Sequence, residues 1–224
     1  MQTGVGFFGS SIGKKVVMAV TGVLLVSFVV AHMIGNLQLY LPAHDGVPAL
    51  DAYGTFLHTF LHGGGIWLAR GSLLLAVALH IWAAVTLFRT NVAARPIGYQ
   101  KLAPVASTLS SRWMRLTGPI VLIFVVYHLL HFTLGAVHPA FEPGHVFHNV
   151  VTGFQVPWVA GFYIVAMLAL GSHLSHGIWS MLQTLGLSHP RYNALRKGLA
   201  TLLTVVVIGF NVSFPIAVLA GLVR

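Results

Sequence analysis

The stretch TGVLLVSFVVAH, residues 21–32, returns as TGPIVLIFVVYH at residues 117–128. Each copy is an apolar run with a Thr-Gly pair at one end and an imidazole at the other. An ionisable ring inside such a run is rare, faces the interior of a helical bundle and has a partner there. Two copies of one pattern therefore restrict the fold: both segments must turn their histidine toward a shared object between helices.

Composition fits that setting. Of 224 residues, 57% are hydrophobic and only 7% are charged, against roughly 25% charged in a soluble domain. The chain is expected to be an all-α integral membrane protein, one transmembrane domain over residues 1–224. It leaves no room for a separate soluble catalytic domain. A bilayer core takes about 20 apolar residues per helix. Five stretches are long enough: 16–41, 66–88, 114–137, 157–185 and 199–223. The first four are expected to form a bundle. Pro157 suits the first turn of its helix, where no amide donor is needed. The opening MQTGVGFFGSSIGKK has no basic region leading into a short apolar stretch with a cleavage site, and reads as mature sequence.

Charge gives the orientation. The net charge is +9, from 12 Lys and Arg against Asp45, Asp51 and Glu142. The bases sit in short loops between apolar runs, which argues against nucleic acid as a partner. Lys14, Lys15, Arg89, Arg95, Lys101, Arg112, Arg115, Arg191, Arg196 and Lys197 fall on one side; Arg70, Arg224 and the three acids fall on the other. The positive-inside rule then places the N-terminus in the cytoplasm and the C-terminus outside. The chain has no cysteine, so it forms no disulfide and ligates no iron–sulfur cluster.

Segments one and three run outward, and His32 and His128 lie past their midpoints. Segments two and four run inward, and His80 and His173 also lie past theirs. The four rings are thus expected in two layers, an outer one of His32 with His128 and an inner one of His80 with His173. Helical rise separates the layers by roughly 10 Å. No carboxylate lies among the five apolar runs to pair with them. Neutral imidazole is a good ligand for iron, and two ligands per layer suit two stacked haem b groups in a four-helix bundle. Bis-imidazole iron has no open position, so its natural role is electron transfer. Eleven residues is about three turns, which sets Thr21 and Thr117 on the faces of His32 and His128 but lower, toward the inner layer. Thr21, Gly22, Thr117 and Gly118 are small enough for a flat macrocycle to approach the backbone. Small-residue helix packing explains the glycines equally well. Segments two and four share less, LLAVALH at 74–80 against MLALGSH at 167–173.

His131 and His176 follow His128 and His173 by three residues. They are read as donors to haem propionates or to a quinone; competing ligation is the other reading. Arg70, at the outer start of segment two, and Arg115, at the inner side, suit propionates too. Their other readings are a snorkelling side chain for Arg70 and the charge rule for Arg115, with Arg112 in the same position as Arg115. The expected outer loops, 42–65 and 138–156, hold His44, His58, His62, His138, His145 and His148 among turn-forming residues. His58 and His62 have the spacing of a helical zinc pair, but the sequence fixes no third ligand. Gly63-Gly64-Gly65 reads as a flexible break. No chemistry attaches to the fifth segment, where Asn211 and Pro215 are read as shaping the helix.

Three runs carry a resemblance: RLTGPIVLIFVVYH at 115–128, GFYIVAMLALGSHLSHGIWS at 161–180 and HMIGN at 32–36. With them the chain resembles, over nearly its whole length, the membrane-anchor cytochrome b subunit of succinate:quinone oxidoreductases, in its single-chain, five-helix, two-haem form. The resemblance implies axial ligands at His32, His80, His128 and His173. The family has Asn or another polar residue near the place of His176. It also implies a flavoprotein subunit acting on succinate or fumarate and an iron–sulfur subunit, both on the cytoplasmic side of a bacterial inner membrane. The anchor does not itself act on succinate but exchanges electrons with a quinone, menaquinone being typical. Polar candidates for a quinone near the outer layer are Asn36, Gln38, His44 and His131.

Other readings are a di-haem anchor of a different quinone-linked dehydrogenase, a histidine-based proton or metal transporter, and a purely structural anchor. A transporter usually needs intramembrane carboxylates or broken helices, and all three acids here fall outside the apolar runs. The basic inner face is expected to dock the soluble partner. Reversing the charge of Arg95, Lys101 and Arg191 together should release that partner from the membrane fraction; unchanged association would refute the docking.

Overall fold

The computed structural model describes residues 6–94 and 109–224. Arg95 and Lys101, named above as docking residues, lie outside the described residues. Seven α-helices run in the order α1 (Ser11–Asn36), α2 (Ala49–Thr59), α3 (Gly64–Ala93), α4 (Leu109–His128), α5 (Val146–Phe154), α6 (Pro157–Thr184) and α7 (Asn193–Leu219). There is no strand among the described residues. Five spans are long and apolar enough to cross a membrane, and they are built on α1, α3, α4, α6 and α7.

Local chemistry sets the ends. Ser10 caps α1, its hydroxyl accepting from the Gly13 amide at 2.9 Å and donating to the Phe7 carbonyl at 2.8 Å. A Cβ at Gly13 would sit 1.9 Å from that carbonyl oxygen, so only glycine lets the chain fold back there. Pro157 opens α6 at a position that has no amide to satisfy. Pro119 lies inside α4 and Pro215 inside α7. Each removes one backbone hydrogen bond, a loss that packed neighbours make tolerable in membrane helices.

The side that carries Asp45, Asp51 and Glu142, labelled outer only to distinguish it from the other, differs from its expected loops. Residues 42–65 contain α2, and residues 138–156 contain α5. The two are tied together: the Asp51 carboxylate accepts from the Phe147 amide in the first turn of α5, at 2.7 Å. That bond satisfies one of the free amides of a helix start and places a negative charge where the helix dipole favours it. The Asn149 side chain clamps the preceding turn, accepting from the Glu142 amide and donating to the Glu142 carbonyl, both at 2.8 Å. Between α2 and α3 the backbone reverses at Leu61, His62 and Gly63, all with positive φ. This break stops His58 and His62 from sharing one helical face, so the zinc-pair spacing has no helix to act on. Of the three glycines only Gly63 is left-handed; Gly64 and Gly65 already belong to α3. Among the described residues, no group of three or more His, Asp or Glu could hold a metal ion.

The third membrane segment also departs from the expected 114–137. Its α-helix ends at His128 and continues as one π turn, Leu129–Thr133. Such turns insert an extra residue and recur at functional sites.

The packing order defines the bundle. α3 packs along α1, α1 along α6, and α6 along α4. α7 lies against the far side of α6. Neither α1 with α4 nor α3 with α6 shares comparable backbone packing, and α3 and α4 do not close the ring by direct packing. Around the ring α3–α1–α6–α4, the pairs α1/α4 and α3/α6 are therefore the diagonals. Without a hydrophobic force between helices in lipid, close approach relies on small residues. A Cβ at Gly171 of α6 would meet Ile208 of α7 at 3.0 Å.

Gly171→Leu is expected to force α6 and α7 apart at an overpacking cost of about 1–3 kcal/mol. Gly161→Leu, whose Cβ meets no atom within 4 Å, should be tolerated. Thermal unfolding of both variants in the same detergent checks the contrast: a lower midpoint for the first only.

Candidate functional site

Histidines from four helices meet inside this ring. The His32 ring on α1 lies 5.8 Å from the His128 ring on α4, centroid to centroid, with the planes at 85°. The His80 ring on α3 lies 6.4 Å from the His173 ring on α6, with the planes at 58°. Each pair spans a diagonal of the bundle, between helices that do not otherwise pack together. Two imidazole nitrogens bound to one metal at about 2 Å each would hold their ring centroids about 6 Å apart. Both separations suit a metal held between the rings.

The Thr-Gly pairs frame the inner diagonal. A Cβ at Gly22 would lie 3.9 Å from Cε1 of His80, and a Cβ at Gly118 would lie 3.9 Å from Cε1 of His173. The backbone of α1 therefore passes close beside one ring and the backbone of α4 beside the other, with no side chain between. Thr21 does more. Its hydroxyl lies 2.8 Å from the Val17 carbonyl and 3.1 Å from the Met18 carbonyl. Carbonyls only accept, and a hydroxyl proton directed to either of them is not available to His80. Toward Nδ1 of His80, at 3.1 Å, the Thr21 oxygen can then only accept. That bond puts the His80 proton on Nδ1 and leaves Nε2 bare, the form a metal requires. It also fixes the depth of the inner pair at Thr21, eleven residues below His32 along α1. At the backbone this is about 16 Å, more than the roughly 10 Å expected from segment midpoints. Thr117 is buried too, but its hydroxyl donates to the Trp113 carbonyl at 3.1 Å, while Nδ1 of His173 is buried without a partner among the described residues.

The outer diagonal is braced by a residue not singled out from the sequence. The Tyr163 hydroxyl on α6 lies 3.4 Å from Nδ1 of His128 and 3.1 Å from Nδ1 of His131. His131, in the π turn, is fully buried. Its ring stacks on Tyr127 at 5.5 Å and lies 4.2 Å from Phe132 and 4.8 Å from His138. His138 donates from Nε2 to the Asn149 carbonyl at 2.8 Å and accepts at Nδ1 from the Ala140 amide at 3.1 Å. A Cβ at Gly153 would come within 3.0 Å of both His131 and His138, so α5 can close over them only with glycine there. Tyr163 stands ten residues before His173, three turns toward the outer side, a spacing legible in GFYIVAMLALGSH.

The remaining candidates are more scattered. Arg70 is half-buried, with its guanidinium 5.0 Å from the Trp67 ring. Arg115 is exposed, 4.9 Å from the Phe88 ring, where the inner ends of α3 and α4 approach. His176 is half-buried, one turn beyond His173. Asn36 ends α1, and Gln38 lies in the short 3-10 turn that follows it, Leu37–Tyr40. His44 is in an exposed turn, 3.0 Å from the Asp45 carboxylate. The four quinone candidates are not gathered into one pocket: His131 is sealed under α5, and His44 is at the surface.

A family model described as succinate dehydrogenase/fumarate reductase transmembrane subunit matches residues 94–212. The match covers more than half of the chain, including α4, α5, α6 and most of α7. His128, Tyr163 and His173 lie inside it; His32 and His80 lie before it. No curated protein and no solved structure matches the chain.

Proposed function

The chain belongs to the family of succinate dehydrogenase/fumarate reductase transmembrane subunits, and we propose that it is a di-haem anchor of that family, carrying electrons between an iron–sulfur subunit and a membrane quinone. The observation that carries this reading is the pair of diagonals: two imidazole couples about 6 Å apart, each joining helices that do not otherwise pack. His32 and His128 would hold the outer haem b, and His80 and His173 the inner one. Bound there, the two groups would supply one-electron transfer across the bilayer.

The protein's own part is to hold, orient and insulate. Thr21 keeps Nε2 of His80 free. Gly22 and Gly118 keep side chains away from the inner rings. Arg70 on the outer side, and Arg115 on the inner side, would neutralise propionates. His32 with His128, and His80 with His173, would leave a bound haem iron no open position for oxygen or substrate, and the chemistry it supplied would be electron transfer.

The resemblance read from the sequence extends this to partners. A flavoprotein and an iron–sulfur subunit would dock on the basic inner face, and the clusters must come from them because the chain has no cysteine. The quinone, menaquinone in this reading, would be handled near the outer pair, with Asn36 at the end of α1 and Gln38 in the turn after it as polar groups. The N-terminus would then lie in the cytoplasm of a bacterial cell and the C-terminus outside. Electrons crossing from the inner to the outer side do work against or with the membrane potential, about 2.3 kcal/mol per charge per 100 mV.

A reduced-minus-oxidised spectrum with haem content per polypeptide tests the reading. The purified protein is expected to hold two low-spin haems, and His128→Leu to retain only the inner one. A wild-type protein without haem, or a His128→Leu variant with both chromophores intact, would overturn it.

A further inference from the structure

The two hydroxyls in the site are not interchangeable packing. We infer that Tyr163 and Thr21 are matched positioning residues, each bracing one imidazole in one layer through Nδ1 and thereby lowering the reduction potential of that layer's haem. The inference rests on the two-haem reading above.

The placement is systematic. α1 and α6 are the two helices of the ring that pack against each other on the diagonal-free side and sit between the other two. α1 carries His32 for the outer layer and, eleven residues earlier, Thr21 for the inner layer. α6 carries His173 for the inner layer and, ten residues earlier, Tyr163 for the outer layer. Each of these central helices thus gives one ring to one layer and one hydroxyl to the other. Each hydroxyl braces a ring carried by a flanking helix, His80 on α3 and His128 on α4. The unbraced partner of His80 is His173, whose Nδ1 is buried without a hydrogen bond.

The direction of each bond follows from counting protons. Thr21 has given its proton to backbone carbonyls, so it accepts from His80. Tyr163 has one proton and two facing ring nitrogens. Ligation through Nε2 of His128 keeps the His128 proton on Nδ1, which donates to the tyrosine oxygen. The tyrosine proton then goes to Nδ1 of His131, and the His131 proton sits on Nε2, which is buried without a hydrogen bond among the described residues. His131, held by Tyr127, Phe132 and His138, thereby polarises the Tyr163 hydroxyl and makes it a better acceptor. An acceptor on Nδ1–H enriches the imidazole in electron density, raises its basicity as a ligand and favours ferric over ferrous iron. Removing the acceptor should raise the potential of that haem alone.

The test is a spectroelectrochemical titration of the full chain with its partner subunits, following each haem's midpoint potential. The wave retained in His128→Leu identifies the inner haem. Tyr163→Phe is expected to raise the outer potential and leave the inner one in place. Thr21→Val is expected to raise the inner potential only, and Thr21→Ser, which keeps the hydroxyl, to restore it. The expected change is about tenfold in the oxidised-to-reduced ratio, at the low end for a lost outer-shell partner, which is about 59 mV for one electron. Unchanged potentials in both Tyr163→Phe and Thr21→Val, or shifts of the wrong haem, would overturn the inference while leaving the two-haem reading intact. If Tyr163→Phe loses its outer chromophore, the Thr21 series decides: a shift in the valine variant reversed in the serine variant upholds the inference, and no shift overturns it. A wild-type protein lacking two haems refutes the reading beneath it, a result that no potential shift can imitate.

Discussion

A ring nitrogen in hydrocarbon has no water to turn to, and leaving it unpaired costs several kcal/mol on transfer scales. Much of the bundle's arrangement answers that demand without a carboxylate, while among the described residues Nδ1 of His173 and Nε2 of His131 stay buried without a hydrogen bond. All three acids stand on the outer side: Asp45 in a surface turn, Asp51 in α2 and Glu142 just before α5. The rings must therefore find their partners in hydroxyls, in backbone carbonyls or in a metal shared with another ring. Thr21 and Tyr163 supply the first kind, Asn149 supplies the second to His138, and the diagonals have the spacing for the third. Packing yields to this. α1 and α4 face each other across the His32 and His128 rings, and α3 and α6 across His80 and His173. The contacts that hold the ring together fall on α1 with α3, α4 with α6 and α1 with α6, and outside it on α6 with α7.

The same demand shapes the outer cap. Ending α4 at His128 and continuing as a π turn places His131 under the hydroxyl of Tyr163. A buried ring there needs a lid, and α5 is that lid, admitted by Gly153 and pinned at its start by Asp51. His131 is thus enclosed by a small aromatic cluster of Tyr127, Tyr163 and Phe132, the last of which also flanks His128, and Phe154 backs the cluster. Dry surroundings strengthen each hydrogen bond inside them and raise the penalty for any that is missing. His131 and Tyr163 therefore act as one unit rather than as separate side chains.

The membrane spans were legible because hydropathy over twenty residues is a long-range average that few local features can hide. The four candidate rings were legible because an imidazole in such a span stands out against its neighbours. The outer helices α2 and α5 were not, since each is short and its histidines, glycines and prolines read locally as turn chemistry. What makes them helices is tertiary: a carboxylate of one caps the other across 96 positions of sequence. The π turn was also hidden, because Leu129–Thr133 has the same apolar texture as the helix before it. Tyr163 escaped for a different reason. A lone tyrosine in an apolar helix is ordinary, and only its distance from His128, on another helix, gives it a role.

The sequence repeat sets up two similar helix pairs, α1 with α3 and α4 with α6, and the structure shows where the likeness stops. Its glycine half is symmetric: Gly22 faces His80 and Gly118 faces His173 at the same 3.9 Å. Its hydroxyl half is not. Thr21 reaches His80, whereas Thr117, its counterpart, makes its bond to the Trp113 carbonyl and leaves Nδ1 of His173 unpartnered. In the second helix of each pair, ten residues before the ring, the first pair has Arg70 and the second has Tyr163. Arg70 lies over Trp67, and Tyr163 braces His128. Each pair therefore braces one of its two rings, and the two pairs brace opposite layers. Had both used their threonine, the inner layer would hold two braced ligands and the outer none. Splitting the hydroxyls gives each layer one hydrogen-bonded imidazole, His80 through Thr21 and His128 through Tyr163; in the two-haem reading each layer would then have one ligand enriched in electron density.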